Sequence, residues 1–296
     1  MISISDLFLI VFVLIDDFIK EKTTQELKPG KTICKVSDEE ILTMFVVQGM
    51  LGIESDTKWL RFLRVYYQEE FPQIPERSRY QRRRLIWAEY KDELLGFLES
   101  RLPEESRNVI ADSCPLKVCH NVRAGRNKKL NGIAKFGYCA SKNEYFYGFK
   151  VHLLMKENGL LKDWVILPAN RHDQIGLVQL LKGKDKLTVY GDKAYQCKPS
   201  LQARFKKRGV QIIAEPRKNM NKRLIPSQQV QLVSLRQRIE NGISALAGFC
   251  GLEKTMGKTW HNIVARSDFK LLGFNLRICL NYEQKRPRFE MYRIAA

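Results

Sequence analysis

The sequence predicts a mixed α/β protein in which a sheet is flanked by helices and a helical region comes first. Three observations carry this expectation. Helix-start signals fill the first third of the chain, and apolar runs with strand periodicity begin only after residue 105. Those runs then alternate with helical segments in the order three strands, helix, strand, helix, strand, before a long helix. With 296 residues, 44% hydrophobic and 28% charged, the chain has the length and composition of a folded protein with a sizeable core.

Residues 7–15 are apolar and lie between Asp6 and the pair Asp16 and Asp17. A membrane span needs about 20 such residues, and a signal peptide needs a basic start and a small-residue cleavage site. The stretch therefore reads as a buried helix or a subunit contact, and no membrane association is expected. Ser37 followed by Glu40 is a capping box, with Val36 and Ile41 as its hydrophobic staple, so a helix should run from Asp38 to about Leu51. Further helices are expected over 57–70, stopped by Pro72, and over 78–102. Together they are expected to make residues 1–104 a helical region with a helix-turn-helix-like unit, a kind of unit that binds DNA. Arg77, Arg79, Arg82, Arg83 and Arg84 surround Tyr80. Arg79, Arg82 and Arg83 are candidates for DNA phosphates, the alternative being a solvated face paired with Glu89, Asp92 and Glu93.

Beyond residue 105, strands are expected at 109–112 running into a proline turn, at 145–155 and at 160–167. A helix at 173–181, with Asp173 as its cap, a strand at 187–190, a helix at 199–208 closed by Gly209 and a strand at 210–214 follow. The long helix spans 228–250, with Leu232, Leu235, Ile239, Ile243 and Leu246 on one stripe. Residues 105–285 thus form one mixed α/β domain, and 286–296 a basic tail.

Charge narrows the function. Residues 1–105 hold 15 basic and 19 acidic side chains, net −4, whereas residues 106–296 hold 36 and 13, net +23. Such a field fits a polyanion, above all double-stranded DNA. Seven cysteines without CxxC spacing exclude a secreted disulfide scaffold and fit a reducing cytoplasm. Cys114, Cys119 and His120 lack a fourth ligand at zinc spacing.

Within the cationic part, carboxylates call for an explanation. Asp112 and Asp192 each follow an apolar strand, in Val109-Ile110-Ala111-Asp112 and Val189-Tyr190-Gly191-Asp192, and Glu240 lies at the edge of the long helix's apolar stripe one turn after Arg236. Strand-end carboxylates point into the crevice where open α/β sheets bind ligands. Hard oxygen donors suit two Mg²⁺ ions, with Mn²⁺ as a substitute, and such a pair supports in-line displacement at phosphorus. Each residue also has a plainer reading: Asp112 and Asp192 as turn or cap residues, Glu240 as the partner of Arg236.

The motifs Asp112-Ser113-x-Pro115-x-x-x-Cys119-His120-Asn121, Gly148-Phe149-Lys150-Val151-His152, Pro168-Ala169-Asn170-x-His172-Asp173, Gly191-Asp192-Lys193-x-Tyr195 and Arg236-x-x-x-Glu240 together resemble a bacterial insertion-sequence transposase of the DDE class. The resemblance covers residues 105–280. It implies an RNase-H-like catalytic core, Asp112, Asp192 and Glu240 as the metal-binding catalytic triad, and cleavage at the element's terminal inverted repeats followed by transfer of the 3′-hydroxyl into target DNA. A homodimer on paired ends, in the bacterial cytoplasm with the nucleoid, is also implied. Val233 and Ala247 stand where related transposases often carry Tyr and Lys.

Residues 117–150 hold eight basic side chains and one acidic, interleaved with Tyr138, Tyr145, Phe146 and Tyr147. A long basic loop of this kind can track a DNA strand and stack its bases, with Arg123, Arg126, Lys128, Lys129 and Lys150 as contacts, the alternative being a solvated hairpin whose aromatics belong to the core. Residues 193–238 hold twelve basic side chains and only Glu215 acidic, making Lys193, Arg217, Lys218 and Arg236 further candidates. The competing functions are a non-catalytic DNA-binding protein and an RNase-H-like nuclease or resolvase.

Overall fold

The computed structural model describes residues 3–23, 35–103, 106–216 and 223–290. The chain forms two compact units: one takes residues up to Leu102 together with those from Ala245 onward, the other Pro103–Ser244.

The first unit is helical. It contains α1 (Ile4–Thr23), α2 (Asp38–Met50), α3 (Asp56–Tyr66), α4 (Arg77–Ala88), α5 (Lys91–Ser100) and α9 (Trp260–Glu283). Ser37 caps α2 as its sequence requires: its hydroxyl accepts the Glu40 N–H at 3.1 Å and Glu40 Oε2 accepts the Ser37 N–H at 2.7 Å, a device worth about 1 kcal/mol. The helix expected over 78–102 is two helices. Trp87 is anchored by its indole N–H on Asp38, 3.1 Å away, and Tyr90 turns back onto the Trp87 ring at 5.3 Å, breaking the run. The C-terminal helix α9, which the sequence reading joined to the strands, packs on α2, α4 and α5. Close approach is possible because Cβ atoms on Gly49 and Gly273 would lie 2.5 Å from the Phe269 carbonyl oxygen and 2.8 Å from Met50. Asp56 is the electrostatic centre of this unit. It bonds Arg84 at 2.8 Å and Gln81 at 2.9 Å, and also pairs with Arg266. No helix among the described residues is long and apolar enough to cross a membrane.

The second unit is an RNase-H-like mixed sheet with helices. Its strands are β1 (Asn108–Cys119), β2 (Lys135–Cys139), β3 (Glu144–Lys156), β4 (Leu161–Pro168), β5 (Thr188–Gly191) and β6 (Gln211–Ala214), with α6 (Asp173–Leu180), α7 (Pro199–Lys206) and α8 (Pro226–Gly248). The order runs β3, β1, β5, β6, with β2 and β4 both pairing β3 on its other side. β1 is antiparallel to β3 and parallel to β5, and β5 is parallel to β6.

Two expectations are corrected here. β1 continues through Pro115 because its parallel partner stops opposite Ala111. Beyond that point one side of β1 has no strand to bond, so the missing proline N–H costs nothing. The segment expected as a long loop contains β2, a hairpin strand closed by Asn143 in the left-handed region at φ 49°, where Asn is well tolerated. Between sheet, α6 and α7 lies a core of Val109, Ala111, Leu154, Leu177, Val189 and Phe205.

Candidate active site

The sheet register builds the site. Ala111 pairs with Gly191 and Gly191 with Ala214, so the next residues, Asp112 inside β1 and Asp192 and Glu215 just past the ends of β5 and β6, follow one another across three parallel neighbours. Adjacent strands are about 4.8 Å apart. Gly191 is required in this row, because a Cβ would sit 2.9 Å from that of Tyr195, whose buried side chain closes the 3₁₀ turn Lys193–Tyr195. Asp192 caps that turn by accepting the Ala194 N–H at 2.9 Å. Asp112 Oδ1 accepts the Ser113 N–H at 2.7 Å.

A further carboxylate, Asp173, arrives on α6. A Cβ on Gly176 would lie 2.4 Å from the His152 ring, so glycine lets α6 lie directly on β3 and brings its first turn to the strands. Asp173 Oδ1 accepts from Ser113 Oγ and from Lys150 Nζ, each at 3.2 Å. His152 is fully buried with neither ring nitrogen hydrogen-bonded, its Nδ1 being 3.8 Å from Asp173 Oδ1. Burial pushes this imidazole down to about 4 against the opposing pull of Asp173, so it is neutral.

Burial pushes the Asp112 carboxyl up to about 7; the Ser113 N–H opposes this, while the charges of Asp192, Asp173 and Glu240 add to it. Asp192 is raised for the same first reason, with the Ala194 N–H and Arg236 opposing and Asp173 and Glu215 adding. Burial, then Asp112, Asp173 and Asp192, hold the Tyr195 hydroxyl well above its ordinary value. The strand-end aspartates, Asp173 and Glu240 therefore share one electrostatic neighbourhood. Charges of one sign repel at such range, and the low-dielectric surroundings leave that repulsion weakly screened.

Residues 104–259 match the transposase DDE domain family. The chain belongs to that family. No curated protein matches it. The match covers the carboxylate row, Asp173 and all of α8, and a DDE transposase has DNA as its partner and typically uses a divalent metal.

The transposase's donors fit such an ion in chemistry, being hard oxygens whose mutual repulsion a cation relieves. They do not fit the expected three-carboxylate centre: no group of three His, Cys, Asp or Glu placed to hold an ion occurs among the described residues. Ile239 is buried and the next residue is turned about 100° around the helix, so Glu240 is exposed and lies 3.4 Å from Arg236. Mg²⁺ is commonly held by one or two carboxylates plus substrate phosphates.

The candidate DNA contacts of the transposase separate into three groups. Arg123, Arg126, Lys128 and Lys129 are exposed, and none pairs with a carboxylate among the described residues; on α4, Arg79 and Arg82 are exposed as well. Lys150 is held by Asp173, while Lys193 and Arg236 flank Glu215 at 3.2 and 2.9 Å. Arg83 serves the fold instead: it donates to the Val36 and Ser37 carbonyls and pairs with Asp38. Arg217 and Lys218 lie outside the described residues. The sequence reading treated Asp173 as a helix cap and Glu215 as an isolated acid. The signal for Glu215 was the Ile213-Ala214-Glu215 pattern, which repeats the strand-then-acid setting of Asp112 and Asp192.

Proposed function

We propose that this DDE transposase cleaves DNA at insertion-sequence ends and transfers the freed 3′-hydroxyl into target DNA, acting as a homodimer on paired terminal inverted repeats in the bacterial cytoplasm. The observation that supports the reading is that Asp112 on β1 and Asp192 just past β5 follow the paired residues Ala111 and Gly191 of two parallel strands within the family-matched segment. Asp112 and Asp192 are the residues to hold Mg²⁺ or Mn²⁺. When bound, the ion supplies Lewis acidity at the scissile phosphodiester. Lys193 and Arg236, spaced by Glu215, stand beside the row and can take the phosphate's non-bridging oxygens. Lys150, fixed by Asp173, presents a second cation on the β3 side. In the first step the O3′–P bond at the element end breaks as a water oxygen attacks phosphorus. In the second, the 3′-oxygen attacks a target phosphorus and a target O3′ leaves, so one phosphodiester replaces another.

The test is incubation of the full chain with a supercoiled plasmid bearing the inverted repeats that flank the gene, in Mg²⁺ or EDTA. Nicked and joined products in Mg²⁺ alone, absent for Asp112→Asn, are expected. Cleavage retained in Asp112→Asn overturns the assignment of that residue; binding without cleavage favours a non-catalytic DNA-binding protein, and nicking without joining favours a nuclease.

A further inference from the structure

The β2–β3 hairpin carries rings that the carboxylate site does not use. Phe136 is paired with Tyr147 and Tyr138 with Tyr145, and directly opposed residues of neighbouring strands share a sheet face. Four rings therefore form one array, with centroid separations of 5.1 and 5.0 Å within the pairs. Tyr147 is buried, but Tyr145 is 69%, Phe136 51% and Tyr138 44% exposed. The array is rigid. Gly137, between Phe136 and Tyr138, lies so close to Ala169 that a Cβ would meet it at 2.7 Å, and the Tyr138 hydroxyl donates to Asn143 Oδ1 at 2.6 Å.

Cations frame these rings. Asn121 Nδ2 donates to the Tyr145 carbonyl at 2.7 Å, fastening the 3₁₀ segment Asn121–Arg126 to the hairpin. Arg123, Arg126, Lys128, Lys129 and Lys135 on this stretch are exposed, and none pairs with a carboxylate among the described residues. A protein partner would be met by a charge-poor centre, whereas exposed rings amid cations of one sign match a polyanion with stackable faces. Paired bases present only their edges to a protein, and unpaired bases present their faces.

We propose that Phe136, Tyr138 and Tyr145 bind unpaired nucleotides of the DNA substrate by stacking, with the neighbouring cations holding the phosphates. This rests on the DNA-processing reading above and adds to it a preference for a locally single-stranded substrate. Asp112 and Cys119, the latter opposite Tyr147, are seven residues apart on β1, or about 23 Å of strand. An unpaired stretch of several nucleotides is thus needed to span carboxylates and rings.

The test uses the full chain in EDTA, so that no cleavage intervenes. Its probes are a plain duplex and the same duplex with a tail of about 8 unpaired nucleotides carrying 2-aminopurine. The wild type is expected to bind the tailed DNA more tightly and to quench the 2-aminopurine. The double variant Phe136→Ala/Tyr145→Ala should lose roughly tenfold or more of the tailed affinity, lose the quench and keep its duplex affinity, and Tyr145→Trp should retain both. A tail preference and quench unchanged in the double variant overturn the proposal, as does equal loss on both probes. A change of oligomeric state with tail binding intact points to a protein contact and also overturns it. Duplex binding with no tail preference in the wild type sinks this inference alone, whereas no DNA binding at low salt sinks the DNA-processing reading with it.

Discussion

Replacing Asp112 by Asn is expected to stabilise the strand-bearing unit while removing cleavage. The Asp112 carboxyl is raised to about 7 from an ordinary 3.8 by burial and by Asp192, Asp173 and Glu240. A carboxyl raised on folding binds more protons in the native than in the unfolded chain, so stability falls as pH rises from the unfolded value to the folded one. Each unit is worth about 1.4 kcal/mol. At pH 8 the ionised side chain costs up to about 4 kcal/mol, and at pH 5 under about 2 kcal/mol; its partial exposure to solvent makes these upper values. Asparagine carries no charge and retains the oxygen that accepts the Ser113 N–H. Hydrogen exchange of the β1 and β5 amides in EDTA measures the difference directly. The expected result is a variant more stable by about 2–4 kcal/mol at pH 8, with the gap shrinking at pH 5. A variant no more stable than the wild type at pH 8, or a gap that ignores pH, would refute the account of Asp112 as a buried carboxyl raised by desolvation and its acidic neighbours.

Four further outcomes follow from the geometry. Arg84→Met should destabilise the helical unit by about 3 kcal/mol in urea unfolding, because it leaves Asp56 buried with only Arg266 and two glutamines around it. Burial raises the Asp56 carboxyl but Arg84 and Arg266 more than offset it, so the net shift is downward. Its contribution should be complete above the ordinary carboxylate range and vanish as pH falls through the lower folded value, which an acid titration of helicity in wild type and Asp56→Asn will show. Changing Arg123, Arg126, Lys128 and Lys129 together to Gln should flatten the plot of log affinity for duplex DNA against log salt by about 3–4; an unchanged slope removes them from the interface. Gly176→Ala should cost about 1–3 kcal/mol by driving α6 off the His152 ring, and His152→Ala in the same chain should recover part of that loss in thermal unfolding.

The elements legible in the sequence were those whose signals are local. Ser37 and Glu40 fix the start of α2 within a single turn, and Gly209, at φ 68°, closes the α7 segment as glycine after a helix should. Asp112 and Asp192 were legible because an acid directly after an apolar strand has few other uses in so cationic a segment. The misplacements depend on contacts distant in sequence. Nothing near Trp260 shows that α9 will settle against Gly49, and nothing near Asp173 shows that Gly176, three residues on, lets its helix press onto His152. Pro115 reads as a strand end until it is known that β5 stops at Gly191 and leaves that side of β1 unpaired. Likewise, the basic residues around Tyr80 looked equivalent, yet Arg84 and Arg83 are bound into the fold and Arg79 and Arg82 stand in solvent.

A carboxyl raised to about 7 inside a protein of net charge +19 looks paradoxical, and burial first, then the length scale of screening, resolves it. Exposed charges fade beyond about 8–10 Å at ordinary ionic strength, so the excess of lysine and arginine over the surface scarcely reaches Asp112. What reaches it is local, and the cations nearest the carboxylate row are already engaged: Lys150 by Asp173, and Lys193 and Arg236 by Glu215. The two acids beyond the expected triad thus hold cations in place beside the row, where Arg236 offsets only part of the rise at Asp192. The unpaired cations on the segment before β2 are free to act at long range on an approaching polyanion, where ionic strength sets their effect. Attraction and alignment are therefore assigned to different side chains. Neutralising the first set should change association and its salt dependence, whereas removing Asp173 or Glu215 should leave DNA binding nearly intact and impair the reaction at the bound phosphate.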